Sequence, residues 1–426
     1  MTTRIDQVVR IARVDRQRLQ RNVVRTLMLG FFQVFLVIMP IAVPFFQSKG
    51  LSMQEVFSLQ ALFALVVLIT EVPSGYVADL VGRKQTLVMG AVFCGIGHTL
   101  LLGAEGFWTL AMFETALGIG YSLVSGADIA LLYDTELALE RSEYEQRQVV
   151  GRLYFARTLS EAAAGLTCSV LLLWSMDLAV YVQAAVGWLP LLVAFTLVEP
   201  PGRRMQSTGH VGNMMHICRY LMTHSTVLRL AFLALCIWSL TTFYAVWLLQ
   251  KLWDEQGLDL SHFGYLWAIL SLAAALAGRW AHKVEEKMGT TAVLVFIGLA
   301  PALGYLGLGL FGVVGGYVAS LTLWVSRGIG LVILRDALNR RIPSEFRATA
   351  NSLASFGFRG AFAITGPFVG YAFDLWGMSF TLGLLAVATL VIFAGLIVPL
   401  VFAARAQEVE AVSGSGAIVT ELADTP

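Results

Sequence analysis

The chain has 426 residues, of which 57% are hydrophobic and 13% charged, with a mean hydropathy of +0.74. Apolar surface on that scale exceeds what a soluble core can hide, which excludes water as the main solvent. A net charge of +1 offers no general attraction to nucleic acid, so charge must be read loop by loop.

Residues 1–26 form a basic segment, with Arg4, Arg10, Arg13, Arg16, Arg18, Arg21 and Arg25 interleaved with Ile5, Val8, Val9 and Ala12. It either fixes topology or lies on an anionic membrane surface. The apolar run 27–46 is longer than a signal-peptide core and many further runs follow it, so it reads as a retained first span. Similar runs lie at 56–79, 86–104, 107–134, 150–175 and 179–198. A polar linker, 200–225, contains Pro200, Pro201, Gly202, Arg203 and Arg204. Six more runs follow at 227–250, 261–281, 291–312, 315–338, 348–373 and 379–403, before a polar tail, 404–426, that reads as a solvated end.

A span in lipid must satisfy its own backbone, and no run alternates as a barrel strand would. The expectation is an all-α membrane protein of twelve transmembrane helices, six in residues 27–199 and six in 226–403. Of 29 Lys and Arg residues, Lys49 and Lys251 lie on one side and Arg157, Arg327 and Arg359 within spans, while the remainder lie on the other side or at its edge. The positive-inside rule makes that side cytoplasmic, with both termini and the linker. Cys94, Cys168, Cys218 and Cys236 have no paired spacing, so neither a disulfide framework nor a metal site is read.

Between the second and third runs the chain reads Gly75-Tyr76-Val77-Ala78-Asp79-Leu80-Val81-Gly82-Arg83-Lys84. The physics suits a gate: Gly75 permits close helix approach, Asp79 can face a helix N-terminus, Gly82 permits a tight reversal, and Arg83 and Lys84 hold the loop inside. The segment resembles the Gly-x-x-x-Asp-x-x-Gly-Arg-Lys loop of the major facilitator superfamily, and it stands at the same place in the span order. Glu71-Val72-Pro73-Ser74-Gly75, Gly126-Ala127-Asp128 and Tyr133-Asp134 are similar to a bacterial branch of that superfamily, and the resemblance covers residues 27–403. It implies two pseudo-symmetric six-helix bundles with a solute site at their interface, and a cytoplasmic gate of Gly75, Asp79, Gly82, Arg83, Lys84 and Asp134. It also implies that Asp79 approaches the start of the eleventh span near Arg347. An offset of 202 residues places Gly126 on Gly328, Asp134 on Asp336, Glu143 on Glu345 and Arg157 on Arg359, as a parallel repeat would. The second loop is degenerate, with His282 where Asp79 stands, so the latch is expected to be asymmetric.

Charges inside spans must face protein or a watery cavity, which makes Glu71, Glu114, Asp128, Arg157, Glu161, Arg327 and Arg359 the chief candidates. Glu114 and Asp128 are the proton-coupling candidates. Glu114 takes the place of an arginine in a run, Glu114-Thr115-Ala116-Leu117-Gly118-Ile119-Gly120, that resembles the family's fourth-span motif. Its alternative is a static hydrogen bond or ion pair within the first bundle. Arg327, Arg359, Arg157, Glu161, Trp238 and Tyr244 are the solute-cavity candidates, and Arg157 and Glu161, four apart, can instead pair on one helix face. Arg359 stands seven residues before Gly366-Pro367, where the backbone can bend. The fifth span reads Ala164-Gly165-Leu166-Thr167-Cys168-Ser169 and lacks the Gly-Pro of drug–proton antiporters.

The expected function is secondary active transport of a small organic solute across the cytoplasmic membrane, proton-coupled, with export favoured over uptake and the chain a monomer in the bilayer. The arginines suit an anion or zwitterion and the carboxylates a cation, which leaves solute charge open. Passive facilitation and proton symport of an organic anion or zwitterion are the alternatives. From another class, a sensor or scaffold would use Glu408, Glu410, Glu421 and Asp424 of the tail to bind a partner. An enzyme is not expected, since the six histidines are scattered and no phosphate loop points to ATP.

Overall fold

The computed structural model describes residues 2–200, 210–343 and 346–406. Most of the expected linker's first half and nearly all of the tail, including Glu408, Glu410, Glu421 and Asp424, lie outside the described residues, as does Glu345 of the repeat. The described elements are helices joined by turns, with no strand among the described residues. They fall into two compact units: one gathers described residues of Met1–Ser207, Gln250–Leu272 and Ala363–Asp374, the other those of Thr208–Leu249, Ala273–Phe362 and Leu375–Pro426.

In the first unit α1 (Thr2–Gln33) ends inside the expected first span, and the chain resumes helical form at Met39–Ile41 and in α2 (Ala42–Ser48). Pro40 and Pro44 cannot donate to the preceding turn, which is a local reason for the interruption. Then come α3 (Met53–Val81), α4 (Arg83–Leu100), α5 (Phe107–Val124), α6 (Ala127–Ala138), α7 (Glu143–Leu172), α8 (Met176–Val186) and α9 (Leu189–Thr196). The expected fourth span is divided at Gly126, whose φ of 86° breaks the helix between α5 and α6. Ser142 and Glu145 form a capping box at the start of α7, and the Arg141 hydrogen bond, reinforced by Ser142, holds the Glu145 carboxyl below the usual carboxylate range.

The second unit contains α10 (His210–Thr223), α11 (Thr226–Ile237), α12 (Leu240–Phe243), α15 (Thr290–Leu310) and α16 (Val313–Asn339). Three helices contribute to both units: α13 (Ala245–Glu255), α14 (Phe263–Met288) and α17 (Arg347–Ile392). A straight helix of 46 residues would be about 69 Å long, more than twice the ~30 Å hydrocarbon thickness. Helix α17 therefore turns at Gly377, whose φ is 75°.

Nine helical stretches among the described residues are long and apolar enough to cross a bilayer. The run 27–46 is not among them because its helix is broken, and α7 carries Arg152, Arg157 and Glu161, which dilute its hydropathy. The last stretch, Thr349–Ala406, takes in two expected spans, on either side of Gly377.

Within the first unit, three ties join segments that are distant in sequence. The Asp374 carboxylate accepts the Met53 and Gln54 N–H groups at 3.1 and 2.8 Å, satisfying the orphan donors at the start of α3. Gln250 donates to the Met39 carbonyl at 3.1 Å and accepts the Val43 N–H at 3.0 Å, filling the interruption between α1 and α2. Ser169 accepts the Tyr265 N–H at 2.9 Å beside a glycine contact so close that a Cβ at Gly264 would stand 2.0 Å from the Gly165 carbonyl oxygen.

That contact leaves no room for a side chain, and overpacking costs about 1–3 kcal/mol. Gly264→Leu should lower the thermal unfolding midpoint of the purified protein by several degrees. Gly151→Ala, at a helical position with nothing within 4 Å of the added methyl, should leave it unchanged or raise it.

Candidate functional site

The basic loop is organised within the first unit. Gly82 has φ 106°, and the carboxylate of Glu199, just past α9, accepts the N–H groups of Arg83 and Lys84 at 2.8 and 2.7 Å. These are the first donors of α4, so Glu199 supplies the cap that Gly82 has no side chain to provide. Arg83 pairs with Asp79 at 3.2 Å and with Asp134 of α6 at 3.5 Å, bringing three of the four charged gate candidates together. Gly75 has open space around it, with nothing within 4 Å of an added Cβ. In the second unit, Arg347 donates to the Asn339 carbonyl at 3.1 Å. The degenerate loop places His282 3.6 Å from Glu285, and Asp336, repeat mate of Asp134, pairs with Arg340 at 2.6 Å.

Glu114 on α5 is buried, and the Gln60 side-chain amide of α3 donates to it at 2.6 Å. A polar amide in an apolar run was the signal for Gln60, and it passes easily for helix filler. The two helices are held close by small residues: a Cβ at Gly118 would meet Val66 at 2.8 Å, and Ser122 donates to Ser74 at 3.1 Å. Asp128, in the first turn of α6, is 1% exposed and forms an ion pair and hydrogen bond with Arg157 of α7. Spacing alone had offered Glu161 as Arg157's mate. The second proton candidate is thus committed to a salt bridge, while Glu114 shares its site with a neutral donor that tolerates either protonation state.

In the second unit the seventh apolar run, α11 through α12 to α13, keeps helical backbone at Trp238, Ser239 and Tyr244 and forms one apolar stretch, Thr226–Glu255. Pro301 in α15 removes the N–H that the Ile297 carbonyl would otherwise accept. Trp238 and Ser326 donate to that carbonyl instead, at 2.9 and 3.1 Å. Trp238 is fully buried and its indole N–H is used here, so this solute-cavity candidate serves as packing in the conformation described. Beside Ser326, the Arg327 guanidinium lies 5.5 Å from the centre of the Phe243 ring. Phe243 meets Phe358 and Phe362 edge to face at 5.2 and 4.9 Å, and Tyr244 lies 5.8 Å from Phe362. Arg359 follows Phe358 on α17, and Glu161 stands on α7 in the other unit. No group of three His, Cys, Asp or Glu able to hold a metal occurs among the described residues.

Breaking a buried pair costs about 3–5 kcal/mol because the survivor is left uncompensated. Asp128→Asn should lower thermal stability sharply, and the double change Asp128→Asn with Arg157→Gln should recover more than half of that loss. Equal losses in the single and double variants would mean that the pair is not the source.

The sequence matches the family model described as Major Facilitator Superfamily over residues 26–340. A comparison with curated protein sequences gives no match. Among solved structures, a bacterial homologue of the human lysosomal transporter Spinster, inward-facing and unoccupied, is similar at TM-score 0.73 and 14% identity, covering 91% of this chain and 97% of that one. The nucleoside transporter NupG gives TM-score 0.72 and 13% identity over 88% and 98% of the two chains. A D-xylose–proton symporter gives 0.65 and 16% over 87% and 96%. Together with the apolar helices, the family match establishes a multi-pass membrane protein that belongs to the Major Facilitator Superfamily.

Proposed function

We propose that the chain is a proton-coupled secondary transporter that moves a small organic solute across the cytoplasmic membrane by alternating access, with export as its working direction. The observation that carries the reading is the buried Glu114 carboxyl, hydrogen-bonded to neutral Gln60 within the membrane part of a transporter-family chain. An ionisable side chain within a span marks a candidate site for taking up and releasing a proton during the cycle. Gln60 can donate to the carboxylate, and after an amide flip can accept from the acid, so both states keep a partner. That solved transporters of similar fold include a sugar–proton symporter fits this reading.

In the same proposal the Asp79–Arg83–Asp134 cluster, beside the Glu199 cap of α4, is the cytoplasmic gate. The Asp374, Gln250 and Gly165–Gly264 ties are the contacts that must open in the other half of the cycle.

Proton movement in proteoliposomes challenged with cationic, anionic and zwitterionic solutes tests the coupling. Solute-dependent proton flux should appear in the wild type and fall at least tenfold with Glu114→Gln. Flux retained in the variant would remove Glu114 from the coupling, and solute movement without proton flux would make the protein a facilitator. Asp79→Asn should slow transport while leaving solute affinity within about twofold, as expected when a gate contact rather than a binding contact is lost. Unchanged transport would contradict the gate assignment.

A further inference from the structure

We infer that the outer face of α1 in the first unit is a binding site for an anionic phospholipid, its headgroup held by Arg21 and Arg25 and its acyl chains laid along Val24 and Met28. The site is separate from the gate and from the proton and solute candidates.

Three observations converge on it. First, α1 is one helix from Thr2 to Gln33, so the basic segment runs straight into the first apolar run instead of folding back along the bilayer. At the rise of an α-helix, Arg25, Arg21 and Arg18 stand about 1.5, 7.5 and 12 Å before Thr26 along the axis. The headgroup layer on each face of the hydrocarbon is about 5–8 Å deep. Arg21 and Arg25 therefore stand at headgroup depth, with Arg18 at its edge.

Second, the rotation of α1 is fixed. Asn22 is buried and donates to the Thr135 hydroxyl at 3.1 Å and to the Val198 carbonyl at 2.8 Å, and Thr26 and Leu29 are buried on the same side. The opposite side is left open, with a surface groove of about 530 Å³ lined by Gln17, Gln20, Arg21, Val24 and Arg25. Arg25 Nη1 donates to the Thr196 carbonyl at 2.5 Å, which steadies the guanidinium and leaves it N–H groups to spare for an oxyanion. No ion pair or hydrogen bond among the described residues engages Arg18 or Arg21.

Third, the basic turn continues into an apolar surface. The pairs Asn22–Val198 and Arg25–Thr196 set α1 and α9 antiparallel, so Met28 and Leu192 both lie beyond Arg25 in the apolar direction, and both are exposed. A soluble phosphate has no use for that surface, whereas a phospholipid uses both parts. Residues 16–33 and 189–198 contain no Asp or Glu, and Glu199 is engaged by the N–H groups of Arg83 and Lys84, so the charge of the groove favours an anion. Topology alone asks only for positive charge on one side; it does not ask for arginines on an open face with an apolar continuation.

The test titrates detergent-solubilised full-length protein with phosphatidylglycerol or phosphatidylcholine of the same acyl chains, counting bound lipids by native mass spectrometry. The first phosphatidylglycerol should bind at least about fivefold tighter than phosphatidylcholine, and Arg21→Gln with Arg25→Gln should abolish the preference. Arg21→Glu, at an exposed position, replaces the double variant if that does not fold, and should have the same effect. Removing as much charge elsewhere, by Lys283→Gln with Lys287→Gln at exposed positions of the second unit, should leave the preference intact. Equal weakening by the lysine pair would mean diffuse charge attraction and overturn the site. So would equal binding of the two lipids, or displacement of phosphatidylglycerol by equimolar glycerol 3-phosphate, which would point to a free-phosphate site. A preference that emerges only when residues 407–426 are deleted would make the acidic tail the occupant and also overturn it.

Discussion

Lipid offers no hydrogen bonds, so wherever a spanning helix stops inside the membrane the protein must supply partners for the backbone groups released. This constraint organises the fold around its interruptions. The gap between α1 and α2 is filled by Gln250, and by Gln183, which accepts the Ile38 N–H at 3.3 Å. The carbonyl that Pro301 orphans is taken by Trp238 and Ser326. At the helix starts, Asp374 serves α3 and Glu199 serves α4. These ties are polar and directional, so each is either made or broken. Packed apolar contacts slide more gradually, so a machine with two discrete states is better served by such clamps at its moving joints.

The same logic separates the buried charges by role. Asp128 and Arg157 neutralise each other and brace α6 against α7. Glu114 accepts its hydrogen bond from the neutral amide of Gln60. Arg327 rests on the Phe243 ring.

Much of this was legible in the residues. Membrane solvent, helical class and the basic loop followed from hydropathy and from the spacing of Gly75, Asp79, Gly82, Arg83 and Lys84, because those signals are local. The Arg83–Asp134 contact was foreshadowed only by resemblance. Glu199, Asp374, Gln60 and Gln250 were not identified, because each acts on backbone or side-chain groups more than 50 residues away in sequence, and a lone polar residue at the edge of an apolar run has many uses. The interruption at residues 34–38 was invisible to a hydropathy window, which averages over the turn where a helix ends. The Arg157–Asp128 pair was not identified, since i and i+4 neighbours are easier to see than a carboxylate on another helix beyond the Gly126 break.

The most direct measurement of the central claim, that polar clamps at helix ends are made and broken during function, is the distance between spin labels at residues 54 and 371. These positions stand beside the Asp374 tie, and both are exposed. The four cysteines are unpaired, and Cys218 alone among them is not buried, so replacing it leaves a quiet background. A short distance is expected, giving way to a second, longer population when pH or solute drives the cycle, with Asp374→Asn enriching the longer one. A single distance, unmoved by pH, solute or that substitution, would contradict the claim.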